Sequence, residues 1–97
     1  MVKIKELKPG MKDINIVVTV DYIPKRTKKY SYGTSSRYLP TYVVDDEGNE
    51  IKLTFWGDII DKIKKGMKVH LKKAYVTEFR GEIQLNYKED SPPEIIK

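Results

Sequence analysis

A chain of 97 residues, 39% hydrophobic and 34% charged, has room for one hydrophobic core, so a single folded domain is expected. It contains no cysteine and one histidine, which excludes disulfides and zinc–thiolate sites, and we expect neither a metal nor another cofactor. No apolar run approaches the roughly 20 residues of a membrane span and no signal peptide is evident, so we expect a cytoplasmic protein without membrane contact.

Positive charge is concentrated in two segments of this basic chain, whose net charge is +5. Residues 24–38 carry five basic residues and no acid, and residues 62–73 carry six lysines and no acid. Segregated basic charge is typical of a protein that binds a polyanion such as nucleic acid, which favours a nucleoid-associated location. The alternative is the lysine-rich surface of a heat-stable protein, because the composition also leans toward that of a thermophile.

The first half of the chain predicts two strands joined by a long basic segment. Apolar residues alternate with polar ones from Ile14 to Tyr22, which predicts a half-buried strand with Tyr22 on its inward face. Residues 25–37 are polar and basic, and we expect a long loop or a flexible strand extension there. Tyrosine and β-branched residues predict a second strand over 38–44, and residues 45–49, three acids followed by glycine and asparagine, predict a solvated hairpin turn.

The second half predicts three more strands and one short helix. In residues 51–56 the alternation places Lys52, Thr54 and Trp56 on the outward face of a third strand. A short helix is expected from Asp58, as its cap, through Lys65. In the fourth strand the apolar positions shift by one residue between Leu71 and Ala74. Such a shift indicates a β-bulge that turns Lys73, Tyr75 and Thr77 outward. A tight turn over 78–81 leads to a fifth strand over 83–87.

Five strands with one short helix between the third and fourth are the element order of the OB-fold, an all-β, five-stranded Greek-key barrel. We expect this nucleic-acid-binding domain to span residues 1–88 and residues 89–97 to form a short flexible tail. In OB-folds, ligands lie across the second and third strands and between the loops that join strands one to two and four to five.

Aromatic and basic side chains populate that predicted surface. Trp56, Tyr75 and Phe79 are the candidate base-stacking residues, although Trp56 could instead cover the barrel rim, Tyr75 could join the core and Phe79 could pack a loop tip. Tyr30 and Tyr32 of the basic segment could stack on bases or anchor the loop. Tyr38, at the start of the second strand, is a further candidate aromatic residue. The candidate backbone and polar contacts are Arg26, Lys28, Lys29, Arg37, Lys52, Thr54, Lys73, Arg80, Gln84 and Asn86.

This combination suits single-stranded nucleic acid. Unpaired bases expose their faces, and stacking on an aromatic ring contributes about 1–3 kcal/mol per base whatever the base. Phosphates require nearby lysine and arginine, whereas a duplex hides the base faces from exposed rings. The residues do not discriminate DNA from RNA, because both kinds of base stack alike.

Several short segments resemble archaeal single-stranded DNA-binding proteins of the single-OB type, relatives of replication protein A. They are Leu7–Met11, Asp46–Gly48, Ile51–Gly57, Ile63–Gly66, Ala74–Tyr75, Phe79–Gly81 and Gln84–Asn86. The resemblance implies that Trp56, Tyr75 and Phe79 stack on successive bases, with tyrosine at a position where the family can carry tryptophan. The family's longer C-terminal tail recruits partner proteins, so recruitment of replication, repair or transcription proteins is left open here.

We expect a monomer that binds single strands without catalysis, and three other functions are the alternatives. The acids Asp45, Asp46 and Glu47 could suggest a metal-dependent nuclease, but no catalytic triad, phosphate-binding glycine loop or metal-ligand spacing accompanies them, so we expect no enzyme. An OB module for RNA binding or protein assembly is the main alternative, because fold does not determine function. A duplex-binding chromatin protein should bind double strands at least as well as single strands.

Overall fold

Strands dominate the computed structural model, which describes residues 2–23, 28–31, 35–88 and 90–96. In chain order the strands are β1 (Ile14–Tyr22), β2 (Lys28–Ser31), β3 (Ser35–Val44), β4 (Glu50–Trp56), β5 (Lys68–Phe79), β6 (Glu82–Asn86) and β7 (Glu94–Ile96). Two 3₁₀ turns complete the described elements, at Ile4–Glu6 and Asp58–Asp61. Within these ranges no helix has the length and apolar character that crossing a membrane requires.

Five of these strands close into a barrel. Their order is β1-β3-β4-β6-β5, and β5 pairs back with β1, so the sheet has no free edge along this circuit. The β4–β6 pairing is parallel, whereas the other pairings are antiparallel. The predicted five-stranded barrel, with a short helical element between the third and fourth barrel strands, is therefore confirmed.

The inward side chains follow the predicted alternation. Along β4 the residues Ile51, Leu53 and Phe55 are buried, while Lys52 and Thr54 between them are half-buried on the outer face. Thr41 of β3 is the polar exception, because it is 1% exposed and its hydroxyl donates a hydrogen bond to the carbonyl of Leu53 at 2.7 Å. Period-two alternation thus divides each barrel strand between the core and the outer surface.

The predicted bulge in β5 is confirmed. Ile16 is opposite Leu71 and Ile14 is opposite Ala74, so β5 has two residues between these pairs and β1 has one. Ala74 is buried and Tyr75 is half-buried, because the extra residue reverses the side of the strand that faces the core.

A second bulge corrects the prediction for Tyr22. Val20 is opposite Val43 and Tyr22 is opposite Tyr42, so Asp21 is an additional residue on β1. The prediction that Tyr22 faces inward is wrong, since Tyr22 is 55% exposed. The tyrosine continues the period-two pattern in the sequence, but the bulge places it on the outer face.

Two segments outside the barrel strands differ from the predictions, and a third agrees with one of the two alternatives predicted for it. The helix after β4 is a single 3₁₀ turn, Asp58–Asp61, and its N-cap is Gly57 without a side-chain cap hydrogen bond, so neither the Asp58 cap nor the extension to Lys65 is observed. In the basic segment, Lys28–Ser31 pairs with β3, which agrees with the strand-extension alternative. Where a flexible tail was expected, Glu94–Ile96 pairs with β5 and Pro93 is buried.

The acidic turn is tied to the N-terminal segment. Asp45 is 8% exposed, and its carboxylate accepts hydrogen bonds from the backbone N–H groups of Ile4, Glu47 and Asn49 at 2.9–3.0 Å. Burial alone raises the pKa of Asp45, but these donors outweigh it and hold the pKa below its usual value. The expectation of a wholly solvated turn is therefore wrong at Asp45.

Candidate nucleic-acid interface

A continuous outer face extends across β4, β6 and β5. Lys52 of β4 is opposite Gln84 of β6, and Gln84 is in turn opposite Thr77 of β5. Directly opposed residues lie on the same face of a sheet, so these three side chains form one row. One further pair on the same face, Asn86 with Tyr75, extends the surface toward the end of β6.

The three candidate stacking residues all lie on this outer face. Trp56 follows Lys52 at a spacing of four residues on β4, while Tyr75 and Phe79 lie two residues on either side of Thr77 on β5. Alternate residues of a strand share a face, so the rings lie on both sides of β6. Tyr75 and Phe79 are about 13 Å apart along the strand, at roughly 3.3 Å per residue.

Tyr87 holds Trp56 in place. The two rings are stacked, with centroids 5.3 Å apart and an interplanar angle of 9°. The Tyr87 hydroxyl accepts a hydrogen bond from the backbone N–H of Trp56 at 2.8 Å and donates one to the backbone carbonyl of Trp56 at 3.1 Å. Burial raises the pKa of Tyr87, and the Trp56 backbone hydrogen bond opposes that rise only in part. Trp56 is therefore a fixed ring that packs against the core and remains partly exposed.

The stacked pair of Trp56 and Tyr87, called the stacked platform below, combines both roles predicted for Trp56, a cover for the barrel rim and a ring that a base can stack on. The indole covers part of the barrel, as the rim alternative required, and it also presents surface on the outer face. The contribution of Tyr87 was missed, because the alternation predicts that it faces inward and says nothing of a partner 31 residues away.

Phe79 ends β5 immediately before a two-residue hairpin turn. It is opposite Glu82 in the β5–β6 register, which corrects its predicted position in a loop. The turn residues Arg80 and Gly81 both have positive φ, 53° and 82°, as in the tight hairpins that suit the twist of paired strands. Phe79 is 60% exposed, and the Arg80 guanidinium lies 5.1 Å from the centroid of its ring. This cation–π contact places a cation beside the most exposed of the three candidate stacking rings, Trp56, Tyr75 and Phe79.

The remaining predicted residues fall into two groups. Lys73 and Arg80 are exposed, and Lys52, Thr54, Gln84 and Asn86 are half-buried on the barrel strands. Asn86 already donates hydrogen bonds to the Thr77 hydroxyl at 2.9 Å and to the Gln84 carbonyl at 3.3 Å, so its amide is held in the face. Tyr38 is half-buried and lies opposite Trp56 on β3.

The basic segment is described only in part. Lys28, Lys29 and Tyr30 belong to β2 and Arg37 belongs to β3, where the description covers the backbone pairing and not the side chains. Arg26 and Tyr32 lie outside the described residues, and their predicted contacts remain predictions.

Among the residues that the structure describes, no cluster of three potential metal ligands is found, and the acids of the turn have other contacts. Lys3 forms an ion pair with Asp46, and Lys5 forms one with Glu47 at 3.3 Å. The hydrogen bond that the Lys3 ammonium donates to the Asp46 carboxylate raises the pKa of Lys3. The three acids of the turn thus serve contacts with the N-terminal segment.

Closure of five strands with this order and an aromatic, partly basic outer face defines an OB-fold barrel. The replication factor A related protein from Methanobacterium thermoautotrophicum has the same fold, with a TM-score of 0.77 at 19% identity over 100% of this chain and 91% of that protein. The second OB-fold domain of replication protein A from Methanococcus maripaludis gives a TM-score of 0.70 at 26% identity, over 99% of this chain and 94% of that domain.

Residues 7–90 match the family model described as single-stranded DNA binding protein Ssb-like, OB fold, and the chain belongs to this family. It is 33% identical over 84 residues to the single-stranded DNA binding protein Ssb of Saccharolobus solfataricus. That alignment covers 87% of this chain and 56% of the relative, so the chain spans little more than half of the relative's length. The resemblance recognised in the sequence is thereby confirmed.

Proposed function

We propose that this protein binds single-stranded DNA without sequence preference and without enzymatic chemistry, and so coats and protects single strands during replication, recombination or repair. The single observation that carries the proposal is the placement of Trp56, Tyr75 and Phe79 on one outer face together with Lys52 and Gln84. Membership of the Ssb-like family supports the same function.

The chemistry of the face suits a flexible polyanion. The rings offer stacking surfaces that accept any base, and the fixed position of Trp56 reduces the entropy lost when a base stacks on it. Lys52, Lys73 and Arg80 supply positive charge for phosphates along the same strands. Because both N–H groups of the Asn86 amide donate within the protein, its Oδ1 is the atom that can accept a hydrogen bond from a base edge.

Trp56 provides the direct test, because it is the only tryptophan of the chain. Addition of oligo-dT should quench its fluorescence and saturate at a few nucleotides per protein. In contrast, duplex DNA of the same length should bind more weakly, because its base faces are covered. An RNA oligomer measured in parallel distinguishes DNA preference from general single-strand binding. Unchanged fluorescence of the folded protein at low salt would contradict the proposal.

Phe79→Ala is the matched variant for stacking. The side chain is 60% exposed, so its truncation should leave the fold intact while reducing affinity by about 1–3 kcal/mol. Ile96→Ala is the control, because Ile96 is a large exposed apolar residue on β7. If both variants bind equally well, Phe79 is not a stacking residue.

Salt dependence tests the cations. Each contacted phosphate should contribute about 0.7 to the slope of log affinity against log salt for a single strand. Contacts from Lys52, Lys73 and Arg80 alone would therefore give a slope of about −2, and Lys52→Gln should reduce its magnitude by about 0.7. A slope near zero would exclude these phosphate contacts.

A further inference from the structure

A pair of tyrosines forms a second aromatic group on the barrel surface, outside the predicted interface. The rings of Tyr22 on β1 and Tyr42 on β3 have centroids 6.4 Å apart and are tilted by 51°. Of the residues that the structure describes, Tyr22, Phe79 and Ile96 are the large apolar side chains that lie exposed. Phe79 already belongs to the candidate interface, so the exposure of Tyr22 requires its own explanation.

The bulge at Asp21 is the cause of that exposure. If Asp21 were paired in a regular ladder, the alternation along β1 would direct Tyr22 toward the core, as it does Val18 and Val20. The backbone irregularity instead places Tyr22 directly opposite Tyr42. Bulges commonly redirect a side chain at a functional surface.

The tyrosine pair is continuous with the candidate interface. Tyr22 is opposite Tyr42, Tyr42 is opposite Lys52, and Lys52 is opposite Gln84. These pairings form one row, which continues to Thr77 of β5. At about 4.8 Å between strands, the two tyrosine strands lengthen the face by about 10 Å.

We infer that Tyr22 and Tyr42 form a further base-stacking site that extends the path of single-stranded DNA from β4 across β3 to β1, an inference that rests on the proposed function. The two rings are tilted by 51° and not stacked face to face, and Tyr22 is exposed while Tyr42 is half-buried, so both rings keep surface that a base can reach. Lys52 lies next to Tyr42 and can bind the phosphate between this site and the bases on the other strands. The added 10 Å accommodates up to about three nucleotides at the 3.4 Å rise of a stacked strand.

The test measures affinity for oligo-dT at graded lengths, from about 4 to 16 nucleotides, the range of OB-fold site sizes. Tyr22→Ala and Tyr42→Ala should each lower affinity for the long oligomers by about five- to 150-fold, and leave binding of the shortest unchanged. Tyr22→Phe should bind like the wild type at all lengths, because it retains the ring. Ile96→Ala is the control for loss of an exposed apolar side chain.

A second measurement does not depend on variants. Oligo-dT substituted with 5-bromodeoxyuridine is photocrosslinked to the wild-type protein, and the crosslinked peptides are mapped. Crosslinks to Tyr22 or Tyr42 with long oligomers support the inference, whereas crosslinks confined to Trp56, Tyr75 and Phe79 overturn it.

The remaining outcomes are also decisive. Equal affinities of Tyr22→Ala and wild type at every length, or an equal loss at every length, would overturn the extended path, even if the Trp56 fluorescence response is intact. An intact response at short lengths preserves the proposed function. Failure of the wild type to bind oligomers of any length refutes the proposed function, and the inference falls with it.

Discussion

Removing the hydroxyl of Tyr87 should destabilise the barrel while leaving the stacked platform in place. Tyr87 is 4% exposed, and its hydroxyl bonds both the N–H and the carbonyl of Trp56. β6 ends at Asn86, one residue before Tyr87, so the hydroxyl of Tyr87 reaches these two backbone groups of β4 from just beyond the end of β6. The phenol therefore replaces the backbone partner that a longer β6 would supply.

The magnitude follows from those two hydrogen bonds. Each intramolecular hydrogen bond contributes a net of about 0.5–1.5 kcal/mol, and a buried group left unpaired costs about 1–3 kcal/mol. Trp56 is only partly buried, so water can reach its backbone in the variant and the lower range applies. We expect Tyr87→Phe to lower the free energy of unfolding by about 1–3 kcal/mol.

A pair of variants separates the hydroxyl from the ring. Tyr87→Phe retains the ring beside Trp56, so oligo-dT affinity should stay close to the wild-type value. Tyr87→Leu removes the stacked ring as well, so affinity should fall together with stability. Urea unfolding gives the free energies, and the Trp56 fluorescence titration gives the affinities.

Two results would refute this reasoning. A Tyr87→Phe variant as stable as the wild type would show that the hydroxyl contributes no net stability. A folded Tyr87→Leu variant with wild-type affinity would show that Trp56 does not need its stacked support to bind a base.

Three further changes test the turns and the core. Asp45→Asn should lower the free energy of unfolding at neutral pH. The pKa of the Asp45 carboxylate in the folded protein lies below the roughly 3.9 of the unfolded chain. The extra stability of the wild type should therefore be present above that pH and be lost as the pH falls through the pKa of the folded protein, which urea unfolding at graded pH measures. Arg80→Asn should raise stability by up to about 1 kcal/mol, because Asn before Gly81 tolerates positive φ, yet weaken oligo-dT binding. Thr41→Val should lower the free energy of unfolding in urea by about 1 kcal/mol, because the core loses the hydrogen bond from the Thr41 hydroxyl to the Leu53 carbonyl.

Period two accounts for most of the barrel that could be predicted. Where Ile51, Leu53 and Phe55 alternate with polar residues, burial of one face leaves one register, and the structure follows it. The β5 bulge could also be predicted, because Leu71 and Ala74 shift the apolar phase in the sequence itself.

The length of the helix could not be predicted from its apolar pattern. Ile60 and Ile63 are buried, as a helix face would require, and the N–H of Ile63 still donates to the carbonyl of Ile59, but Gly66 and Met67 bond to β1. The N–H of Gly66 donates to the carbonyl of Val20 at 2.7 Å, and the N–H of Val20 donates to the carbonyl of Met67 at 2.8 Å. These contacts with the end of β1 draw the segment into a turn before a second helical turn can form.

The two bulges explain why one aromatic position was found from the sequence and another was missed. Each bulge inserts a residue before a tyrosine and so moves it to the outer register: Lys72–Lys73 precede Tyr75, and Asp21 precedes Tyr22. The first is visible because the apolar residues on both sides of it change phase. The second lies at the end of β1, where the partly buried Ile23 alone follows before Pro24, and one apolar residue is too short a run to reveal the shift. Tyrosine suits either face. Aromatic residues that end an alternating run are therefore the positions whose exposure must be read from strand pairing.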